Sequence, residues 1–244
     1  MPSIRATAAS CLGVSGTFSI RRDVYGYIWG GRMNRTLSLK RHLELIRDDA
    51  FNICPFLVGH ESGFPPDTEF TLVELQIIQT AIDFMREHYD QVGVGVRRVY
   101  WRSIPPDEAG GYTVVDQDES TELTRAFSGP NDGIDVFFVR TITDAAGWSR
   151  TPGPCDKDSA SGRNGAVLEI ESLDAGWIGL VMAHEVGHYL GLEHASTLTN
   201  IMGEDPDGDG IGTIEEGTSV KLTPGQGDTM RSHCSIRPHC GGTA

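Results

Sequence analysis

Three histidines lie within one short run of the chain, at positions 184, 188 and 194. On an α-helix, residues four apart lie one above the other on the same face, so His184 and His188 can offer two imidazole nitrogens to one metal ion. Glu185 is rotated by about 100° from His184 around the same helix, which places its carboxylate beside the ion rather than on it. The run therefore predicts a helix that binds zinc, with Glu185 as the general base acting on a bound water molecule.

A third zinc ligand has to come from beyond this helix, because a nitrogen at the next helical position would point past the ion. Gly191 is suited to end the helix, since glycine tolerates the left-handed backbone that turns the chain, and His194 can then return to the metal. Three protein nitrogens leave one position of a tetrahedral zinc ion open for water or substrate. That arrangement is typical of a catalytic zinc site and not of a closed structural one.

The run from His184 to His194 resembles the signature of the metzincin metallopeptidases, in which a methionine-containing turn passes beneath the metal. Met202, within the sequence Asn-Ile-Met-Gly, stands eight residues after His194, where that turn is expected. The short spacing between His194 and Met202 is similar to that of the matrixin branch. The sequence Ile-Met-Gly is similar to that of the adamalysin branch. Ala195 after the third histidine fits no particular branch, and Glu204 stands where some branches place a tyrosine ligand.

The resemblance implies an α+β fold, with a twisted mixed sheet, an active-site helix and a C-terminal helix in a metzincin-like catalytic domain, preceded by a small N-terminal segment. A stretch rich in glycine and proline predicts the boundary. We expect an N-terminal segment at residues 1–58 (a pro-segment or an accessory hairpin and helix), a linker at 59–66 and the catalytic domain at 67–244. In the N-terminal segment we expect a hairpin at 13–31 and a helix at 40–47.

Hydrophobic periodicity predicts the main elements of the catalytic domain. Apolar residues at helical spacing predict a helix from Thr71 to near Tyr89. Strands are predicted at 94–101 and at 135–140, and the second is continuous in β-forming residues, which favours a central position. The acidic run 116–124 is interpreted as a solvated face. Asp174 is suited to cap the active-site helix, and Thr223-Pro224 to open a C-terminal helix.

The last strand before the active-site helix is predicted at Ala166, Val167, Leu168, Glu169 and Ile170. In the metzincin pattern the corresponding strand lies at the sheet edge above the cleft and binds substrate as an added antiparallel strand. Main-chain hydrogen bonds along an unpaired edge hold an extended peptide in register. The resemblance therefore implies that these residues form the substrate edge strand.

A second metal-binding pattern follows the methionine turn. Counting from Asp205, carboxylates fall at positions 1, 3, 5 and 12 with glycine at position 6, as in the calcium loop of EF-hands. Gly212 departs from that pattern, which has an apolar residue there, and the alternative is a plain turn rich in aspartate and glycine. The predicted cofactors are therefore zinc and calcium, the latter with the ligands Asp205, Asp207, Asp209, Ile211, Thr213 and Glu216.

The five cysteines allow at most two disulfides within one chain. We expect Cys155 to pair with Cys234 or Cys240, the alternative being a second metal site in the tail around these last two cysteines. Cys11 or Cys54 could block the zinc ion as a thiolate, or else form a disulfide or simply be buried.

The net charge of −14 argues against a nucleic-acid partner, and no apolar run is long enough to span a membrane. Family resemblance implies a secreted protein, although residues 1–12 are too polar for the core of a signal peptide. The alternatives are a leader that is missing from this sequence, export by another route, and a protein that stays inside the cell.

The sequence thus predicts a zinc-dependent endopeptidase that acts on peptides or proteins. The first alternative is a calcium-ordered, zinc-carrying binding module without turnover. The intact Glu185 argues against that alternative, because a module that no longer cuts has no chemical need for a base there. The second is a zinc hydrolase that acts on a non-peptide amide. The sequence leaves the preferred cleavage site and the oligomeric state open.

Overall fold

A computed structural model describes residues 49–60, 70–143, 145–157, 163–171, 174–197, 199–203 and 221–238. These residues all belong to one compact unit, residues 37–239. The expected hairpin at 13–31, the helix at 40–47 and the calcium loop at 205–216 lie outside the described residues, as does Cys11.

The described residues alternate between strands and helices. The strands are β1 (Asp49–Val58), β2 (Val94–Val99), β3 (Arg102–Ile104), β4 (Val114–Val115), β5 (Gly133–Val139), β6 (Thr141–Ile142), β7 (Gly147–Trp148) and β8 (Gly165–Glu169). The helices are α1 (Leu72–Asp90), α2 (Pro106–Ala109), α3 (Gln117–Phe127), α4 (Ala175–Tyr189) and α5 (Pro224–Ser232).

The main sheet is mixed, with the strand order β2-β1-β5-β8-β7 and with β3 also paired to β1. Strands β1, β5 and β8 run parallel to one another, whereas β7 pairs with β8 in the antiparallel direction. A separate small sheet consists of β4 and β6. The predicted fold class is confirmed, and so is the central position of the strand predicted at 135–140, because β5 lies between β1 and β8.

Strand β1 belongs to the main sheet, whereas the expected domain division placed residues 1–58 before the catalytic domain. Residues 49–58 pair with β2, β3 and β5, and every residue of β1 after Asp49 is buried. Proline argues against a central strand because it lacks a backbone N–H. Here β1 pairs with β2 as far as Ile53 and with β3 from Phe56 onward, so Pro55 lies in the gap between these two neighbours. The catalytic unit therefore includes residues that precede the predicted boundary.

Alternate side chains of the central strands enter two separate hydrophobic cores. From β5, Val136 and Phe138 pack into the core that also contains residues of α1 and α4. Phe137 and Val139 point to the opposite face, where the core includes Leu123 of α3. This alternation follows from the twofold period of a strand, and it explains why β5 is apolar at almost every position.

The helix predicted from Thr71 is confirmed as α1, and Thr71 caps it in a reciprocal capping box with Glu74. The acidic side chains of the run 116–124 are exposed, as expected, but the run forms the helix α3, which the sequence interpretation missed and whose other face is buried. Asp116 accepts hydrogen bonds from Asp118 N and Glu119 N and so begins that helix. The strand predicted at 94–101 ends earlier, since β2 stops at Val99.

Two further features concern the ends of the described region. The C-terminal helix α5 begins at Pro224, and Thr223 caps it as predicted. A disulfide joins Cys155 to Cys234, which is one of the two pairings expected, with a Cα–Cα distance of 5.8 Å. No helix of the described residues has the length and apolar character of a membrane span.

Candidate metal centre and cleft

The helix α4 carries the first two histidines and has well-defined ends. Asp174 accepts hydrogen bonds from Gly176 N at 2.7 Å and Trp177 N at 2.9 Å, as predicted for the N-cap. At the other end, Gly191 has φ of +96°, and Leu192 N donates to Gly187 O at 3.0 Å. This bond, together with the one from Gly191 N to His188 O, forms a Schellman motif that ends the helix and redirects the chain.

The structure brings the three histidines of the run together. His188 Nε2 lies 3.0 Å from His184 Nε2 and 3.1 Å from His194 Nε2. A zinc ion with nitrogen ligands at about 2.0–2.1 Å in a tetrahedral arrangement separates those nitrogens by roughly 3.3 Å. The spacing of the three nitrogens is thus close to that of a zinc site with one open position.

Hydrogen bonds on the far side of two rings fix which nitrogen faces the site. His184 Nδ1 lies 2.8 Å from Ile201 O, and His188 Nδ1 lies 2.7 Å from Leu192 O. A carbonyl oxygen only accepts hydrogen bonds, so each Nδ1 carries the proton and each Nε2 presents a lone pair. Convergent lone pairs repel one another unless a cation lies between them. The arrangement of the three rings therefore suits a bound zinc ion.

The protonation of these two histidines also suits a metal ligand. Burial is the main cause that lowers the pKa of His184 to about 4, and the nearby His188 acts in the same direction. Burial lowers the pKa of His188 as well. Both imidazoles are consequently neutral near pH 7, which is the form that binds metal.

Glu185 lies beside the histidines in a nearly closed environment, with a side chain that is only 6% exposed. Burial raises its pKa to about 8, while the positive charge of Arg163 acts in the opposite direction. The carboxylate side chain packs directly against β7, because a Cβ added at Gly147 would lie 2.7 Å from Glu185 Cγ. Glycine at this position lets the strand approach the glutamate.

Met202 is fully buried in a turn that packs against the helix α4. A Cβ added at Gly187 would lie 2.7 Å from Met202 Sδ, so the sulfur lies against the turn of helix that carries His188. Ala195 N donates to Met202 O at 2.7 Å and joins this turn to the segment that carries His194. The turn that carries Met202 therefore packs against both the helix with His188 and the segment with His194.

An amide pair that the sequence interpretation missed anchors this turn. Asn200 Nδ2 donates to Gln226 Oε1 at 2.9 Å, and Gln226 Nε2 donates back to Asn200 Oδ1 at 2.9 Å. Asn200 Oδ1 also accepts a hydrogen bond from Met202 N at 2.9 Å. The C-terminal helix α5 thus supports the methionine turn. No sequence signal links these two residues, which lie 26 positions apart.

The strand order corrects the prediction for the substrate edge strand. Residues Ala166 to Glu169 belong to β8, which has β5 on one side and β7 on the other. Leu168 pairs with Gly147 and Val167 with Trp148, so among the described strands β7 is the edge strand on this side of the sheet. The prediction was wrong because β7 has only two residues, too few for a periodic signal in the sequence.

The structure also bears on the two hypotheses about cysteines as metal ligands, one for Cys54 and one for the C-terminal tail. Cys54 is buried within β1 and donates from Sγ to Tyr100 O at 3.1 Å, so it is a core residue that does not block the metal. Cys155, His233 and Cys234 lie close enough together for a metal site, but the disulfide occupies both sulfur atoms. The interpretation that these two cysteines form a disulfide is therefore the one that the structure supports.

Two solved structures that resemble this chain were compared with it. An archaemetzincin from Methanopyrus kandleri has a TM-score of 0.46 and 14% identity, over 75% of this chain and 94% of its own. Metalloproteinase-II from Bacteroides fragilis has a TM-score of 0.49 and 12% identity, over 76% of this chain and 53% of its own. A search of curated protein sequences gave no significant match.

The histidine triad, the buried glutamate and the methionine turn define a zinc metallopeptidase of metzincin type. The family described as Matrixin matches residues 65–205, which is more than half of the chain, and the chain belongs to this family. The resemblance inferred from the histidine run is thereby confirmed. Membership implies zinc as the cofactor and peptides or proteins as substrates.

Proposed function

We propose that this matrixin is an endopeptidase in which Glu185 is the general base. The observation that carries the proposal is the convergence of three Nε2 atoms, with those of His184 and His194 within 3.1 Å of that of His188. A buried carboxylate, that of Glu185, follows His184 on the same helix. His184, His188 and His194 would hold the zinc ion. Zinc bound there acts as a Lewis acid and lowers the pKa of water.

Glu185 then moves one proton in two steps. Its carboxylate accepts a proton from the water whose oxygen attacks the carbonyl carbon of the scissile peptide bond. When the bond between carbon and nitrogen breaks, the same carboxyl delivers that proton to the leaving amine. Burial favours this role because it raises the proton affinity of the carboxylate, and a water-poor environment strengthens its electrostatic interactions.

We further propose that the substrate binds as an extended strand along β7. The support comes from the position of β7 at the edge of the main sheet and from the packing of Gly147 against Glu185. A peptide that adds to this edge by main-chain hydrogen bonds passes directly beside the base. Because such bonds need no chain terminus, this mode of binding favours cleavage within a chain over removal of terminal residues.

The test is an unbiased peptide-library digest with two variants. Glu185→Ala should keep zinc and lose nearly all cleavage, whereas His188→Ala should lose both. Internal cuts that depend on Glu185 support the endopeptidase. Intact peptides with bound zinc favour the binding module, and intact peptides together with hydrolysis of simple amides favour the non-peptide hydrolase.

We also propose that the loop 205–216 binds calcium and orders one wall of the cleft. The support is the spacing of Asp205, Asp207, Asp209 and Glu216, together with the position of the loop directly after the methionine turn. Calcium chelation should then lower the melting temperature while zinc stays bound. An equal melting temperature with and without calcium would count against this proposal.

We propose a secreted location. The disulfide between Cys155 and Cys234 supports it, because disulfides persist in oxidising compartments. Fractionation of producing cells should recover the protein outside the cytoplasm, with this disulfide intact by peptide mass mapping. Recovery of reduced protein in the cytoplasm alone would contradict it.

A further inference from the structure

Arg163 lies in the segment that enters β8 and joins three parts of the fold beside the cleft. Its Nε donates to Thr121 Oγ1 at 3.0 Å and its Nη2 to Gln117 O at 3.2 Å, both on α3. Its Nη1 donates to Ser149 O at 3.2 Å, directly after β7, and its guanidinium lies 5.4 Å from the ring centroid of Trp148. One side chain therefore connects the residue that follows the edge strand to the helix α3.

Within the described residues, the ladder that joins the edge strand β7 to β8 is short. Gly147 and Trp148 pair with Leu168 and Val167 of β8, and the bond from Glu169 N to Ala146 O at 3.1 Å lies at the end of β7 that is farther from Ser149. A short strand with few ladder bonds can shift relative to its neighbour at low cost. A peptide that binds along β7 needs the strand held in place, since a displacement of about 1 Å is enough to impair catalysis.

Resting on the proposed function above, we propose that Arg163 is a positioning residue that holds the edge strand β7 in register for an extended substrate. Arg163 acts through Ser149 and Trp148 and does not itself touch the reacting atoms. Its planar guanidinium suits this role because it directs hydrogen bonds to three acceptors at once, whereas a lysine ammonium is a flexible point charge.

The proposal predicts a loss of activity that depends on substrate length. We would measure kcat and KM for two fluorogenic peptides with the same scissile bond, one with four residues on each side and one trimmed to a single residue on each side. For Arg163→Ala, kcat/KM for the long peptide should fall by at least about tenfold, mainly through KM, because this peptide uses the edge strand. For the short peptide, kcat/KM of Arg163→Ala should differ from that of the wild type by less than about threefold.

Three further variants separate positioning from charge and from general damage. Thr121→Val removes one anchor of Arg163 while keeping the charge, and it should give a smaller loss of about two- to fivefold, again only on the long peptide. Arg163→Lys should restore less than half of the lost activity. Arg125→Ala removes an exposed arginine from the same helix α3 and should behave as the wild type. Zinc content and melting temperature are measured for every variant.

Each outcome has a definite meaning. An equal loss on both peptides, no loss on either, or full restoration by Arg163→Lys would overturn the positioning role. The same loss in Arg125→Ala would also overturn it. Both peptides are built around a bond that the wild type cuts in the peptide library, so that the wild type provides the reference value for each. If the wild type cuts nothing in the library, the endopeptidase proposal fails first, and this is distinguishable from a failure of the role of Arg163.

Discussion

At the scale of the residue, the metal centre follows from side-chain spacing and its ionisation follows from burial. The positions of His184, His188 and Glu185 were predictable because a helix imposes a fixed angle between neighbours, and that of His194 because Gly191 is suited to turn the chain. The contacts of Arg163 were not predictable, because a single arginine in an irregular segment carries no periodic signal. It acquires its neighbours only through the fold. The proton affinity of Glu185 likewise depends on burial, which the sequence does not specify.

The raised pKa of Glu185 predicts a cost to the metal-free protein. The folded-state value of about 8 lies above the ordinary value of 4.5, so stability is fully present below pH 4.5 and is lost as the pH rises through 8. Glu185→Gln removes this loss and should stabilise the metal-free protein at pH 8 by an amount bounded by roughly 5 kcal/mol. Urea denaturation of both metal-free proteins at pH 5 and pH 8 checks this.

The comparison between the two pH values serves as the control for this prediction. Near pH 5 most of the Glu185 carboxyl is protonated in the folded state, so the two proteins should differ much less than at pH 8. A variant whose advantage is the same at both pH values would show that the substitution acts through packing and not through ionisation.

At the scale of the element, long periodic segments were predicted well and short or interrupted ones were not. Helices α1 and α4 carry several turns of apolar residues, so their positions were evident. Strand β1 was missed because Pro55 breaks its β-pattern, although the gap between β2 and β3 accommodates the proline. Strand β7 was missed because its role depends on strand order, a property of the whole sheet.

The close approach of α1 and α4 gives a prediction for Gly179. A Cβ added there would lie 2.6 Å from Phe84 Cβ and 2.9 Å from Ala81 O, and the backbone oxygen cannot move without shifting α1. Gly179→Ala should therefore lower the free energy of unfolding by about 1–3 kcal/mol, although alanine is the better helix former. Chemical denaturation at constant zinc measures the change.

Gly225 in α5 provides the matched control, because a Cβ added there meets no atom of the described residues within 4 Å. Gly225→Ala should leave the stability unchanged or raise it by up to about 1 kcal/mol. If Gly179→Ala were equally well tolerated, the packing of the two helices would be looser than described here.

At the scale of the whole molecule, the disulfide joins the segment after β7 to the end of the helix α5. Next to it, Gly153 N donates to Tyr189 O at 2.8 Å and Tyr189 Oη donates to Pro154 O at 2.9 Å, so the linked segments also contact the end of the helix α4. The sequence predicted one of two partners for Cys155, because spacing alone cannot choose between Cys234 and Cys240. The choice follows from where α5 ends.

Removal of this disulfide should destabilise the protein. Cys155 and Cys234 are 79 residues apart, and closing a loop of that length restricts the unfolded chain. The double variant Cys155→Ser/Cys234→Ser should lose about 2–4 kcal/mol of unfolding free energy. Its stability should also respond less to a dithiol reductant than that of the wild type. An equal response of the two proteins would assign the effect to other cysteines.

The central claim is that His184, His188 and His194 together hold one zinc ion, and metal analysis of purified protein after dialysis tests it most directly. The account predicts about one zinc per chain for the wild type and for Glu185→Gln, and almost none after alanine substitution of any one of the three histidines. His88→Ala, on the helix α1, is the control and should keep the zinc. Retention of zinc by all three single variants, or its absence from the wild type, would contradict the account.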